Sequence, residues 1–144
     1  MMRSGKSWIP KLRPDERPKI VADRRGRMLV PTPMLVASAI RRVPTGRLIS
    51  AATLRDRLAR AAGADLTCPL TTGIFLNIIA GATEEQVASG GNPVAPYWRV
   101  VLADGSLPPK FPPGRQVQGR RLRIEGHRVA GGRVVNAVRA LVRR

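Results

Sequence analysis

Apolar residues recur at helical spacing in three stretches of the first two thirds of the chain. Met34, Val36, Ala37, Ile40 and Val43 fall on one face, and Thr32 followed by Pro33 supplies a cap and a favourable first-turn residue. The spacing predicts a first helix through residue 43, closed by the turn Pro44-Thr45-Gly46. Leu54, Leu58, Ala61 and Ala62 form the stripe of a second helix over 50–62, with Ser50 as N-cap and Arg55, Arg57 and Arg60 off the stripe. A third is expected over 68–88, capped by Thr67, with Pro69 in its first turn and Ile74, Phe75, Ile78, Ile79 and Ala82 buried. The break Gly63-Ala64-Asp65 joins the second helix to the third, and the pair reads as a helix-turn-helix.

Past Ser89-Gly90-Gly91-Asn92-Pro93, which stops the third helix, the pattern changes. Trp98 to Leu102 reads as a short strand before the turn Ala103-Asp104-Gly105-Ser106, and a proline-rich loop from Pro108 to Gly114 leads into a basic helix over 115–124. His127-Arg128-Val129 and Arg133-Val134-Val135 flank Ala130-Gly131-Gly132 as the arms of a hairpin. A last short helix, with Asn136 as cap, is expected to hold Val138, Leu141 and Val142. A ribbon after a helix-turn-helix implies a winged helix, so the fold class expected is mainly α with a small β ribbon. Residues 1–30 differ from the rest: they carry nine basic and three acidic groups, and Pro10, Pro14 and Pro18 interrupt any helical pattern. They predict an extended basic arm ahead of one domain at 31–144, with Trp8, Ile9 and Leu12 able to dock on it.

Charge sharpens this picture. The chain has 26 basic and 9 acidic residues, a net charge of +17, and 22 of the basic residues are arginine. Arginine forks phosphate bidentately and stacks on bases, so the excess favours a polyanion, nucleic acid above all. A solvated positive surface is the alternative. The single cysteine, Cys68, excludes an internal disulfide and a cysteine-based zinc site, and no cofactor or metal is expected. No apolar run of about 20 residues and no secretory pattern occurs, which predicts a cytoplasmic protein with no membrane partner. His127, the lone histidine, has no partner pattern for metal or catalysis.

Pro96-Tyr97-Trp98-Arg99-Val100 is similar to the Pro-Cys-His-Arg-Val signature of the O6-alkylguanine-DNA alkyltransferases, with Tyr97 at the cysteine and Trp98 at the histidine. Val43 to Ser50 matches that family's turn into its helix-turn-helix, and Gly73 matches its recognition-helix glycine. Asp104-Gly105, Leu122 and Glu125-Gly126-His127 follow in the family's order. Across residues 34–129 the chain resembles the DNA-binding domain of these enzymes, and more closely their non-catalytic relatives, the alkyltransferase-like proteins. The resemblance implies duplex DNA as partner, a helix-turn-helix in the minor groove, a base rotated out of the stack, and a monomer that hands sites to other repair proteins. It also implies loss of catalysis, because a phenol beside an indole does not replace an ionised thiol beside a base.

Three departures bear on base recognition. Leu70 stands where the family has an arginine finger, Ala51 where it has a tyrosine, and Phe111-Pro112 where it has a tyrosine and serine that donate hydrogen bonds to the lesion. Leu70 is then either an apolar wedge between base steps or a core residue. The residues expected at a base pocket are Tyr97, Trp98, Arg99, Phe111 and Glu125. Glu125, without the family's histidine beside it, is expected to bond backbone or pair with an arginine. Leu70, Thr71, Thr72, Arg115, Arg120, Arg121 and Arg128 are expected at DNA, the arginines as a phosphate rim joined by Arg123 and Arg133. Two rival functions stay open: alkyl transfer to Cys68, whose place in the first turn of the third helix favours thiolate, and an RNA- or protein-binding module on the same scaffold.

Overall fold

The computed structural model describes residues 7–143. Helix α1 (Pro33–Arg41) is capped as its sequence predicts, Thr32 accepting a bond from the Leu35 amide, and it buries Val36, Ala37 and Ile40. Arg42 is its C-cap, so Val43 lies beyond the helix yet remains fully buried. A two-residue strand β3 (Ile49–Ser50) runs straight into α2 (Ala51–Ala62), where Ser50 accepts from the Thr53 amide. Gly63 ends α2 at φ 70°, a left-handed conformation that suits glycine. Leu54, Leu58 and Ala59 face inward, whereas Ala61 and Ala62 are exposed and do not continue the stripe.

The strand β4 (Leu66–Thr67) fills the turn between α2 and the 20-residue α3 (Pro69–Ala88). The N-cap of α3 is Cys68 rather than Thr67, because Thr67 is drawn into β4, where its hydroxyl donates to the Arg55 carbonyl at 2.8 Å. Phe75, Leu76, Ile78, Ile79 and Ala82 are buried, but Ile74, expected among them, is 49% exposed. So many sides of α3 are apolar that periodicity does not single out its inward face.

Residues 1–6 of the expected arm lie outside the described residues. From Ser7 onward the segment is folded onto the domain, contrary to the extended arm predicted. Ser7 Oγ and the Trp8 amide both donate to Glu85, and a 3₁₀ turn at Ile9–Leu12 buries Leu12. The Trp8 ring lies so close to α3 at Gly81 that a Cβ there would stand 2.5 Å from it. Strands β1 (Lys19–Asp23) and β2 (Gly26–Val30) form an antiparallel hairpin, and β2 pairs in parallel with β4. The β1–β2 pairing is local, closing between Asp23 and Gly26, whereas the third strand of the sheet, β4, lies about forty positions away.

After α3 the chain makes a 3₁₀ turn at Tyr97–Arg99 and a strand β5 (Val100–Val101) parallel to β3, shorter than the strand expected over 98–102. Helix α4 (Arg115–Ile124) follows the proline-rich loop. Strands β6 (Val129–Ala130) and β7 (Arg133–Val134) make the wing, turning through Gly131 and Gly132 at φ 60° and 72°, the geometry of a tight primed turn. The last helix is one 3₁₀ turn, Ala137–Arg139: Asn136 makes no side-chain cap, Val138 is 80% exposed, and the buried residue is Ala137. No helix among the described residues is long and apolar enough to cross a membrane.

Candidate nucleic-acid interface

The turn that carries Tyr97, Trp98 and Arg99 is anchored from three sides. Gln118, fully buried on α4, donates from Nε2 to the carbonyls of Trp98 at 3.2 Å and Val100 at 3.0 Å. Tyr97 is fully buried and its hydroxyl donates to Glu84 at 2.8 Å. Trp98 Nε1 donates to Glu125 at 2.9 Å. Glu125 also receives Arg99 at 2.7 Å, and that guanidinium donates further to the Val43 carbonyl at 2.6 Å and to Thr45 Oγ1 at 2.9 Å. Both partners of the Arg99–Glu125 pair are about nine tenths buried, at 11% and 9% exposure.

These contacts remove four residues from the expected base pocket. Tyr97, Trp98, Arg99 and Glu125 close a network of interior hydrogen bonds and do not line the groove described below. The reason is chemical: each ring carries one polar atom, and a buried N–H or O–H takes the nearest carboxylate. Burial first, and then the Glu84 carboxylate, hold the Tyr97 phenol far above its ordinary range, so it stays protonated.

Arg121 is likewise committed inward. It meets Glu84 in a two-point contact at 2.5 and 3.0 Å and lies 5.5 Å from the centre of the Trp98 ring, so its charge is already balanced by a carboxylate. Burial alone would raise the Glu84 carboxyl, but the bonds from Arg121 and Tyr97 outweigh it and hold it below the usual carboxylate value. Glu125 is held down in the same way: burial raises it, and Arg99, Trp98 and the Gly46 amide more than compensate.

A pH dependence follows. Unfolded glutamates titrate at about 4.3, so below that value the unfolded chain takes up protons that folded Glu84 and Glu125 refuse. The stabilisation is complete above the unfolded value and disappears as pH falls through the depressed folded ones. Urea midpoints measured from pH 7 down to pH 3 are expected to drop below about pH 4.5, with a flatter profile for Glu84→Gln.

An open apolar groove of about 430 Å³ lies in front of this network. Ala51 of α2, Leu70, Gly73, Ile74 and Asn77 of α3, Val100 and Leu102 at β5, and Pro108 to Phe111 of the loop line it. Leu70 is 74% exposed at the tip of α3, the opposite of a core position. Phe111 forms part of the wall and stands edge-on to Tyr97, ring centres 5.7 Å apart. Thus Leu70, Phe111 and the departure at Ala51 come together, and Tyr97 supports the wall from behind. The sequence does not place Ile74, Leu102, Asn77 or Lys110 at a site. The signal for Ile74 was its place four residues after Leu70, which puts both on one helix face.

Two threonines expected at DNA are engaged within α3. Thr72 is buried and donates to the Cys68 carbonyl at 2.7 Å, and Thr71 Oγ1 lies 3.1 Å from Cys68 Sγ. Arg115, Arg120 and Arg128 are exposed. Cys68 itself acts as the cap of α3, its sulfur accepting from the Thr71 amide. Burial raises its thiol, yet bonds from Thr71 and Leu70 and the charge of Arg25 bring it below the ordinary value. It does not line the groove.

No family model and no curated protein matches the chain by sequence. Among solved structures, the crystal structure of S. pombe Atl1 in complex with damaged DNA containing O6-carboxymethylguanine superposes with a TM-score of 0.54. The match is 19% identical and covers 78% of this chain and 94% of that one. The helix-turn-helix of α2 and α3, the wing of β6 and β7, and this likeness together establish the fold as the alkyltransferase-like winged helix.

Proposed function

We propose that the chain is a non-catalytic DNA-binding protein of the alkyltransferase-like type, which engages duplex DNA at alkylated or distorted guanine and leaves the chemistry to other repair proteins. The observation that carries this reading is the groove at the tip of α3, where exposed Leu70 and Ile74 face Phe111 across an open apolar cleft. An exposed leucine at the leading end of a recognition helix is suited to wedge between base steps, and a concave apolar cleft beside it is suited to receive the displaced base. Atl1, which shares the fold, was crystallised on DNA of this kind. A protonated, buried phenol at Tyr97 offers no nucleophile to an alkyl group.

Competition between a duplex containing O6-methylguanine and the matched guanine duplex tests the reading, and tighter binding to the damaged one is expected. Leu70→Ala is expected to weaken binding to the damaged duplex about tenfold, roughly 1.4 kcal/mol. Because Leu70 is 74% exposed, the same substitution should leave stability within about 0.5 kcal/mol. Equal affinity for the two duplexes, unchanged in Leu70→Ala, would leave only general DNA binding.

A further inference from the structure

A trough between α4 and the wing carries three arginines, none of which forms an ion pair with a carboxylate among the described residues. Arg115, Arg120 and Arg123 stand along it, and Gly119, on the same face of α4, leaves the space between them open. Leu107, Val129 and the turn glycines Gly131 and Gly132 complete a cavity of about 430 Å³ whose lining includes no acidic residue. Glu125 and Glu84, the acids nearest α4, are committed to Arg99 and Arg121, and Asp104 is paired with Arg133.

Two of the three guanidiniums are held by backbone. Arg115 Nε donates to the Leu107 carbonyl at 3.1 Å, and Arg123 Nη2 donates to the Val129 carbonyl at 3.0 Å. Each guanidinium has five N–H donors, so each retains several for a ligand. Both overhang the trough: Arg123 Nη1 lies 3.7 Å from where a Cβ on Gly119 would stand, and Arg115 Nη1 lies 3.7 Å from the corresponding point on Gly132. Fixed, like-charged and unneutralised donors are a receptor for an anion, with less side-chain freedom to lose on binding than loose surface arginines have.

We infer that this trough binds the phosphodiester backbone of a nucleic-acid strand, as a site separate from the apolar groove, with which it shares no lining residue. The cavity is far larger than the roughly 30 Å³ occupied by one water, and its floor of Leu107, Val129 and glycine suits a sugar beside the phosphate. The inference rests on the DNA-binding reading for its ligand but not on lesion recognition. Trough contacts position the strand; the groove discriminates the base.

The test compares Arg115→Gln/Arg123→Gln with Arg24→Gln/Arg60→Gln, which removes the same charge from exposed positions elsewhere. The trough variant is expected to weaken binding to damaged and undamaged duplex alike by about tenfold at fixed salt, against about threefold or less for the control, leaving the ratio between the duplexes unchanged. Gly119→Glu guards against simple misfolding. Gly119 is buried, but a Cβ there meets only ordinary contacts of 3.6–3.9 Å, and a carboxylate extending into the trough would take the place of the phosphate, so binding is expected to fall, with the melting temperature and the unchanged ratio between the duplexes distinguishing this from misfolding.

Arginine Nε–H spectra, titrated with the dinucleotide TpT and with inorganic phosphate, separate a strand from a free ion. Shifts at Arg115 and Arg123 at lower concentration of TpT support the assignment, and a response to inorganic phosphate alone overturns it. Losses no greater than the charge controls, with wild-type binding intact, also overturn it without touching the proposed function. Absence of any salt-dependent binding by the wild type would sink both.

Discussion

Glu125→Ala is expected to destabilise the protein by about 3–5 kcal/mol, the range for breaking a buried ion pair by removing one partner. The carboxylate accepts Arg99 at 2.7 and 3.0 Å and Trp98 Nε1 at 2.9 Å, in a place where Arg99 is 11% exposed. Alanine would leave a guanidinium with only the Val43 carbonyl and Thr45 hydroxyl, and an indole N–H with no acceptor. Against a typical total of about 5–15 kcal/mol, that loss threatens folding at 37 °C. Glu125→Gln keeps an acceptor for Trp98 and should lie between alanine and wild type. Urea denaturation at pH 7 measures the series, and equal midpoints for all three proteins would show that the network contributes nothing.

Binding to duplex DNA is expected to fall about a thousandfold between 50 and 200 mM salt. A chain of net charge +17 that neutralises about six phosphates should give a log-log slope near −5, and a fourfold change in salt raised to that power gives the figure. Arg115, Arg120, Arg123 and Arg128 are exposed contributors, whereas Arg99 and Arg121 are occupied by Glu125 and Glu84 and should not contribute. Fluorescence anisotropy over that salt range reads the slope. A slope near zero would remove the electrostatic basis of the proposal, and a loss of slope in Arg121→Gln equal to that in Arg120→Gln would contradict the assignment of Arg121 to the interior.

The helices were legible because their ends and faces are local events. Thr32, Ser50 and Gly63 mark boundaries by bonds or backbone angles that involve residues within four positions, and the structure uses them so. The turn Gly131-Gly132 announced the wing for the same reason. Ile74 shows where locality ends: it belongs to an apolar run that fits a buried face, and only the packing of α3 left it at the groove with Leu70. Residues 19–30 show the same limit, since the sheet that their local hairpin begins takes its third strand from β4.

By itself, then, the sequence determined that a basic, arginine-rich winged helix-turn-helix would form, and that Tyr97, a phenol, stands in the stretch that resembles the alkyltransferase signature. The tertiary structure decided which residues line the groove and which close the interior. It turned Tyr97, Trp98, Arg99, Glu125 and Arg121 inward and left Leu70, Ile74 and Phe111 at an open groove. The reason is that a polar atom near the core is bound by the cost of leaving it unpaired, and its partner lies on whichever element folding brings alongside. Glu84 is thirteen residues from Tyr97 and thirty-seven from Arg121, and neither separation is a pattern that can be read along a chain.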